Sequence, residues 1–112
     1  MEKHTIKRDG LPPIVFTGEK IASARVSNGD WHHSRVSIYR TRGGKYVASI
    51  DRISCVQGEC DSFEAVSRAS AQEVIEWLKG ERDSLGKASQ EAVEEAATVE
   101  PAFAAAWVEV VE

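Results

Sequence analysis

The chain changes its hydrophobic period once, at Ser70-Ala71-Gln72-Glu73. Serine followed three residues later by glutamate is a capping box, in which each side chain satisfies a backbone N–H that a helix start otherwise leaves unpaired. Before it, residues 14–68 hold short β-branched runs broken by glycine clusters. After it, Val74, Ile75, Trp77 and Leu78 follow at helical spacing, and Gly80 stands where a helix C-cap belongs. Strands first and helices afterwards, in 112 residues, imply one α+β domain spanning 1–112.

Within the strand half, residues 1–13 are polar and end in Leu11-Pro12-Pro13. Two prolines deny backbone donors, so this stretch reads as an extended lead-in. Residues 14–26 read as a strand, with Gly18 marking a bulge or bend. Ser27-Asn28-Gly29-Asp30 is a turn cluster, because Asn-Gly readily takes positive φ. Residues 31–42 and 45–56 flank Gly43-Gly44, which fits a hairpin with a two-residue loop. Placing Arg42 opposite Lys45 makes Tyr39 face Ala48 and Arg40 face Val47. One face then holds Tyr39, Tyr46, Ala48 and Ile50, and the other Val36, Ile38, Val47, Arg40 and Asp51. A loop of different length changes that pairing. Gln57-Gly58-Glu59 is a further turn, and residues 60–68 a fourth strand with Phe63 and Val66 buried.

The expectation is therefore an antiparallel meander of about four strands over 14–68, then two or three helices. The first, over 70–80, packs on one sheet face. Glu81 to Gly86 is a linker, and 84–112 carries the C-terminal helices. Residues 87–97 place Ala88, Ala92, Val93 and Ala96 on one helical face. Pro101 suits the first position of a last helix, along which Phe103, Trp107, Val110 and Val111 recur at i, i+4, i+7 and i+8. The expected core is Phe16, Ile21, Val36, Ile38, Val47, Ile50, Ile53, Phe63, Val66, Val74, Trp77 and Leu78.

No apolar run approaches the length of a membrane span, the longest being Ala102–Val108. Met1-Glu2-Lys3-His4-Thr5 is followed by no apolar signal region. With two cysteines, the chain reads as cytoplasmic, with free thiols. Cys55 and Cys60 lie near His32 and His33, but adjacent histidines on a strand point to opposite faces, and the C-x4-C spacing fits no standard zinc pattern. No metal or cofactor is expected. A histidine base needs an oriented partner, for which Asp30 and Asp51 are the candidates. The chain contains no G-x-S-x-G, P-loop, H-E-x-x-H or G-x-G-x-x-G motif, so no catalytic residue is assigned.

Charge divides close to the boundary between strands and helices. Residues 1–56 hold ten Lys or Arg against five Asp or Glu, and residues 57–112 hold four against thirteen, giving the overall −4. Arg35, Arg40, Arg42, Lys45 and Arg52 lie on the hairpin 35–52, interleaved with Trp31, Tyr39 and Tyr46. Basic residues among aromatics on a β-surface are one recipe for single-stranded nucleic acid or another anionic ligand. A sequence pI near 5.4 weighs against a dedicated nucleic-acid domain. Glu91, Glu94, Glu95, Glu100, Glu109 and Glu112 read as a solvated face, or as the electrostatic complement of the basic sheet. The apolar stripe Phe103, Trp107, Val110 and Val111 exceeds what a tail needs. It points to a non-enzymatic interaction protein whose last helices dock in cis or pair between chains as a homodimer.

The stretch Arg35-Val36-Ser37-Ile38-Tyr39-Arg40-Thr41-Arg42-Gly43-Gly44-Lys45-Tyr46-Val47, with Phe16-Thr17-Gly18 before it, resembles small bacterial proteins of the EXLDI type over residues 14–53. Their N-terminal segment, similar to ribbon-helix-helix DNA-binding segments, has no counterpart here. The resemblance implies a bacterial accessory protein and assigns no activity.

Overall fold

Strand β2 (Ile14–Ser27) is fourteen residues long and belongs to two pairings at once. The computed structural model describes residues 1–27, 29 and 31–111. Asn28 and Asp30 of the expected turn, Asp30 as a histidine partner, and Glu112 of the acidic face lie outside them. The first residues of β2 pair antiparallel with β1 (Glu2–Ile6), from Ile6 opposite Ile14 to Glu2 opposite Gly18. From Gly18 onward β2 pairs with β3 (His32–Thr41). Then follow β4 (Tyr46–Ser54) and β5 (Ser62–Arg68), in the order β1-β2-β3-β4-β5. The chain is thus α+β with an antiparallel meander, of five strands rather than about four. The expected lead-in contains a real edge strand. Its short polar sequence lacks the apolar alternation that would advertise one, as suits an edge. Pro12 and Pro13 fall in the following loop.

The hairpin register differs by one residue from the expected pairing. Arg40 lies opposite Tyr46, Tyr39 opposite Val47 and Ile38 opposite Ala48. The reason is the loop. Gly44 N–H donates to the Thr41 carbonyl and Thr41 N–H to the Lys45 carbonyl, while Gly44 takes φ 84°. This is a three-residue loop, a turn followed by a left-handed glycine. The slip exchanges face partners: Val36 and Ile38 share a face with Tyr46, Ala48 and Ile50, while Tyr39 shares the other with Val47.

Gly18 is not the bulge. The register shifts between Lys20 and Ala22. Gly18 instead lets two backbones meet, since a Cβ there would overlap the Arg40 carbonyl oxygen and lie 2.9 Å from Thr41 Cα.

Helix α1 (Ala71–Lys79) starts as expected. Ser70 caps it, its hydroxyl accepting from Glu73 N–H at 3.2 Å, and Gly80 at φ 64° closes it. The Glu73 carboxylate accepts from Ala69 N–H, one residue before the cap. Helix α2 (Lys87–Val99) buries Ala88, Ser89, Ala92, Val93 and Ala96. It lies across β2 and β3, while α1 contacts β4 and β5. Helix α3 (Pro101–Ala106) is shorter than expected: it stops at Trp107, whose N–H bonds the Phe103 carbonyl. Val110 and Val111 therefore continue no helical stripe.

The core lies between the helices and one sheet face. Val36, Ile38, Val74 and Leu78 are buried there, as expected, while Val47 is buried on the opposite face. Phe16, Ile21, Ile50, Ile53, Phe63, Val66 and Trp77 are only half-buried. The helix-side core is completed by Phe103, Ile75, Tyr46, Val93 and a run of alanines. Phe103 is fully buried, its ring edge-on to Tyr46 at 5.1 Å.

Candidate functional site

The cross-strand register sorts the strand residues into rows. On the face carrying the helices they read Ala24–Val36–Ile50–Glu64, Ala22–Ile38–Ala48–Val66 and Glu19–Arg40–Tyr46–Arg68. On the other face they read Arg25–Arg35–Asp51–Phe63, Ser23–Ser37–Ser49–Ala65 and Lys20–Tyr39–Val47–Ser67. Among the described residues no helix covers this second face, yet Tyr39, Val47, Ser37, Ser49 and Ala65 are buried. The sheet itself supplies the cover by curling. The loop after β1 reaches across to β5, where Asp9 N–H donates to the Phe63 carbonyl and Phe63 N–H donates to Asp9 Oδ2, each at 2.9 Å. Lys7 Nζ sits 4.6 Å from the Phe63 ring centroid. On the same face, His4, Phe16 and Tyr39 form a ring cluster with centroids 5.0 to 5.3 Å apart.

The curl shapes an open hollow of about 260 Å³ to which all five strands or their ends contribute, including Ile6, Lys20, Ser37, Ser49 and Phe63. Ser37 and Ser49 of the middle row line it, small side chains that leave space larger ones would fill. Its walls are charged. Arg35 pairs with Asp51 at 3.6 Å, and Lys20 Nζ lies 5.6 Å from the Tyr39 ring centroid. The Tyr39 phenol is held above its ordinary pKa, first by burial and then by the Asp51 carboxylate, with Ser37 and Arg35 opposing. On the opposite face Tyr46 is also raised, by burial and then by Glu100.

The basic hairpin residues do not form one surface. Arg35 belongs to the hollow. Arg40 and Arg52 stand on the helix face and are paired, Arg40 with Glu100 at 3.6 Å and Arg52 with Glu64 at 2.9 Å. Arg42 and Lys45 are exposed at the hairpin tip. Tyr39 and Tyr46 are both buried and on opposite faces, while Trp31 is 61% exposed. Glu100, in the extended junction between α2 and α3, is the acidic residue of the helical half that meets the hairpin; Glu91, Glu94 and Glu95 are solvated.

The aromatic stripe is likewise divided. Phe103 is core, Trp107 packs half-buried against it, and Val110 and Val111 are exposed. Trp107, Val108, Glu109 and Val110 form one wall of a groove of about 600 Å³ whose other wall includes Gln72, Ile75 and Lys79 of α1.

His32 Nε2 bonds Glu59 Oε2 at 2.8 Å, and the Ser54 hydroxyl donates to the same oxygen at 2.7 Å. These bonds, Ser54 first, hold the Glu59 carboxyl below its usual range. Asp51 faces Arg35 rather than a histidine. Cys55 and Cys60 are exposed free thiols. Among the described residues no group of three or more His, Cys, Asp or Glu is placed to hold a metal ion, and no helix is long and apolar enough to cross a membrane.

Sequence reasoning missed Lys7, Lys20, Ser37, Ser49 and Phe63 as neighbours. The alternation Arg35, Ser37, Tyr39 and its counterpart Ser49, Asp51 was the available signal, but it becomes a wall and a floor only in the observed register. Comparison with protein families, curated proteins and solved structures finds no match to this chain.

Proposed function

We propose that the chain is a non-catalytic protein-interaction module that pairs with a second copy of itself through Trp107–Val111 and the adjoining face of α1. The observation that carries this reading is the apolar exposure following α3: Val108, Val110 and Val111 are 63%, 79% and 83% exposed. The last helix docks in cis through Phe103, so these valines are surplus to the core. A tail and the groove beside it on the same molecule suit a two-fold contact, where each copy offers both halves. The likeness of residues 14–53 to EXLDI-type proteins supports a bacterial accessory role, and the two free thiols suit a reducing cytoplasm. Sedimentation equilibrium of the full chain tests the pairing. The expected result is a monomer–dimer equilibrium abolished by Val108→Asp with Val110→Asp, both at exposed positions. A monomer at every concentration would overturn it.

A second reading keeps the basic hairpin 35–52 as a nucleic-acid or anion surface. Its support is the exposed tip, since none of the four ion pairs among the described residues involves Arg42 or Lys45. Single-stranded oligonucleotides at low salt should then shift the amides of Arg40, Arg42 and Lys45. Unmoved amides would remove this reading.

A further inference from the structure

We infer that the hollow on the helix-free sheet face is a binding site for a small organic dianion, a phosphomonoester or a dicarboxylate. Charge balance is the first argument. Lys7, Lys20 and Arg35 line the hollow with Asp51 as the one lining carboxylate, so three cations against one anion leave two positive charges uncompensated. Asp51 is already engaged by Arg35, and none of the four ion pairs among the described residues involves either lysine. Glu2 and Glu19 line an adjoining cleft with Lys20 and are not among the residues lining the hollow.

The register gives a second argument. Arg25, outside the lining of the hollow, is the direct cross-strand partner of Arg35 on this face. Like charges directly opposite one another on a sheet are unfavourable, and Asp51 on the other side of Arg35 balances only one of the two, so the row beside the hollow keeps a net positive charge.

The floor is the third argument. Ser37 and Ser49 are each 4% exposed and Tyr39 is 6% exposed, all three lining the same hollow. Hydroxyls both donate and accept, so they suit the oxygens of a phosphate or carboxylate and the hydroxylated body behind it. A hollow near 260 Å³ lies just below the range of drug-sized ligand pockets, about 300–1,000 Å³, which favours a small metabolite over a nucleotide. Lysines recognise such a dianion as point charges, and Arg35, steadied by Asp51, adds a directed donor.

The test is an amide-resolved NMR titration of the full chain at low salt with glycerol phosphate, succinate and inorganic phosphate, and with uncharged glycerol as control. The expected result is a saturable shift centred on Lys20, Arg35, Ser37, Tyr39 and Ser49 with at least one dianion, and none with glycerol. The tighter of glycerol phosphate and succinate identifies the anionic group. Lys20→Met and Lys7→Met, at exposed positions, should each weaken binding about fivefold, the effect of losing one partly screened charge contact of about 1 kcal/mol. Three outcomes would overturn the inference. These are no saturable shift at millimolar dianion, equal affinity in the double lysine variant, or shifts centred instead on Lys87–Ser89 or Arg42–Lys45.

Discussion

On the helix-covered face the middle row of the sheet is Ala22–Ile38–Ala48–Val66, and on the other face the neighbouring row is Ser23–Ser37–Ser49–Ala65. These residues are one position apart on the same strands, yet they do opposite things. Ala22, Ile38 and Ala48 meet α1, α2 and Phe103 in a dry core, where burial of apolar area supplies the stability. Ser37 and Ser49 are buried just as deeply, but under a curled hairpin that leaves a polar hollow. Alternation along a strand thus separates folding from binding, and exposure alone does not tell the two faces apart.

The comparison makes ordered expectations. Phe103→Ala should cost the most, about 3–5 kcal/mol, because it empties a fully buried ring site. Phe63→Ala on the opposite face, half-buried, should cost less than half as much in chemical denaturation. Equal losses would erase the distinction between the faces. Gly18→Ala comes next, at about 1–3 kcal/mol, since a Cβ there drives β2 from the β3 backbone at Arg40 and Thr41. It should also loosen the curl, visible as faster amide exchange in β1.

Asp9→Ala should cost about 1 kcal/mol, the loss of a carboxylate that accepts from Phe63 N–H. Its signature is exchange at Phe63 rising while the amides of α2 stay protected.

The smallest effect is a titration. The chain has two tyrosines, one per face, and both have pKa values raised above 10.0. Each phenol therefore favours its protonated form in the folded state. Their contribution to stability is complete below pH 10.0 and is lost as pH rises through the folded-state values. Absorbance should show both ionising above pH 10.0 in the native protein. If dianion binds the hollow, saturating glycerol phosphate or succinate should delay Tyr39 further and leave Tyr46 unmoved.

Much of the architecture was legible in the chain because it is written in local chemistry. Ser70, Glu73 and Gly80 satisfy helix ends whatever the rest of the molecule does. Ala88, Ala92, Val93 and Ala96 share a helical face by spacing alone. The hairpin was legible in its existence but not in its register, because Arg42-Gly43-Gly44 and Gly43-Gly44 are both acceptable loops. Strand β1 was hidden because an edge strand whose sequence is polar carries no hydrophobic alternation. Ala22, Ala24, Ala65 and Ala71, buried in the sheet and in α1, carry no such signal, because a small side chain is equally at home on a surface.

The candidate sites were less legible still. Local sequence placed Arg35, Arg40, Arg42, Lys45 and Arg52 on one hairpin, and a hairpin has two faces. Sequence alone determined an α+β meander followed by helices, with positive charge on the strands and negative charge on the helices, since period, caps and charge are properties of neighbouring residues. Only the tertiary structure decided that Lys7, Lys20, Arg35 and Asp51 line one hollow floored by serines. That decision rests on a one-residue register and on Asp9 meeting Phe63 across 54 positions, contacts whose free energy exists only once the sheet has curled.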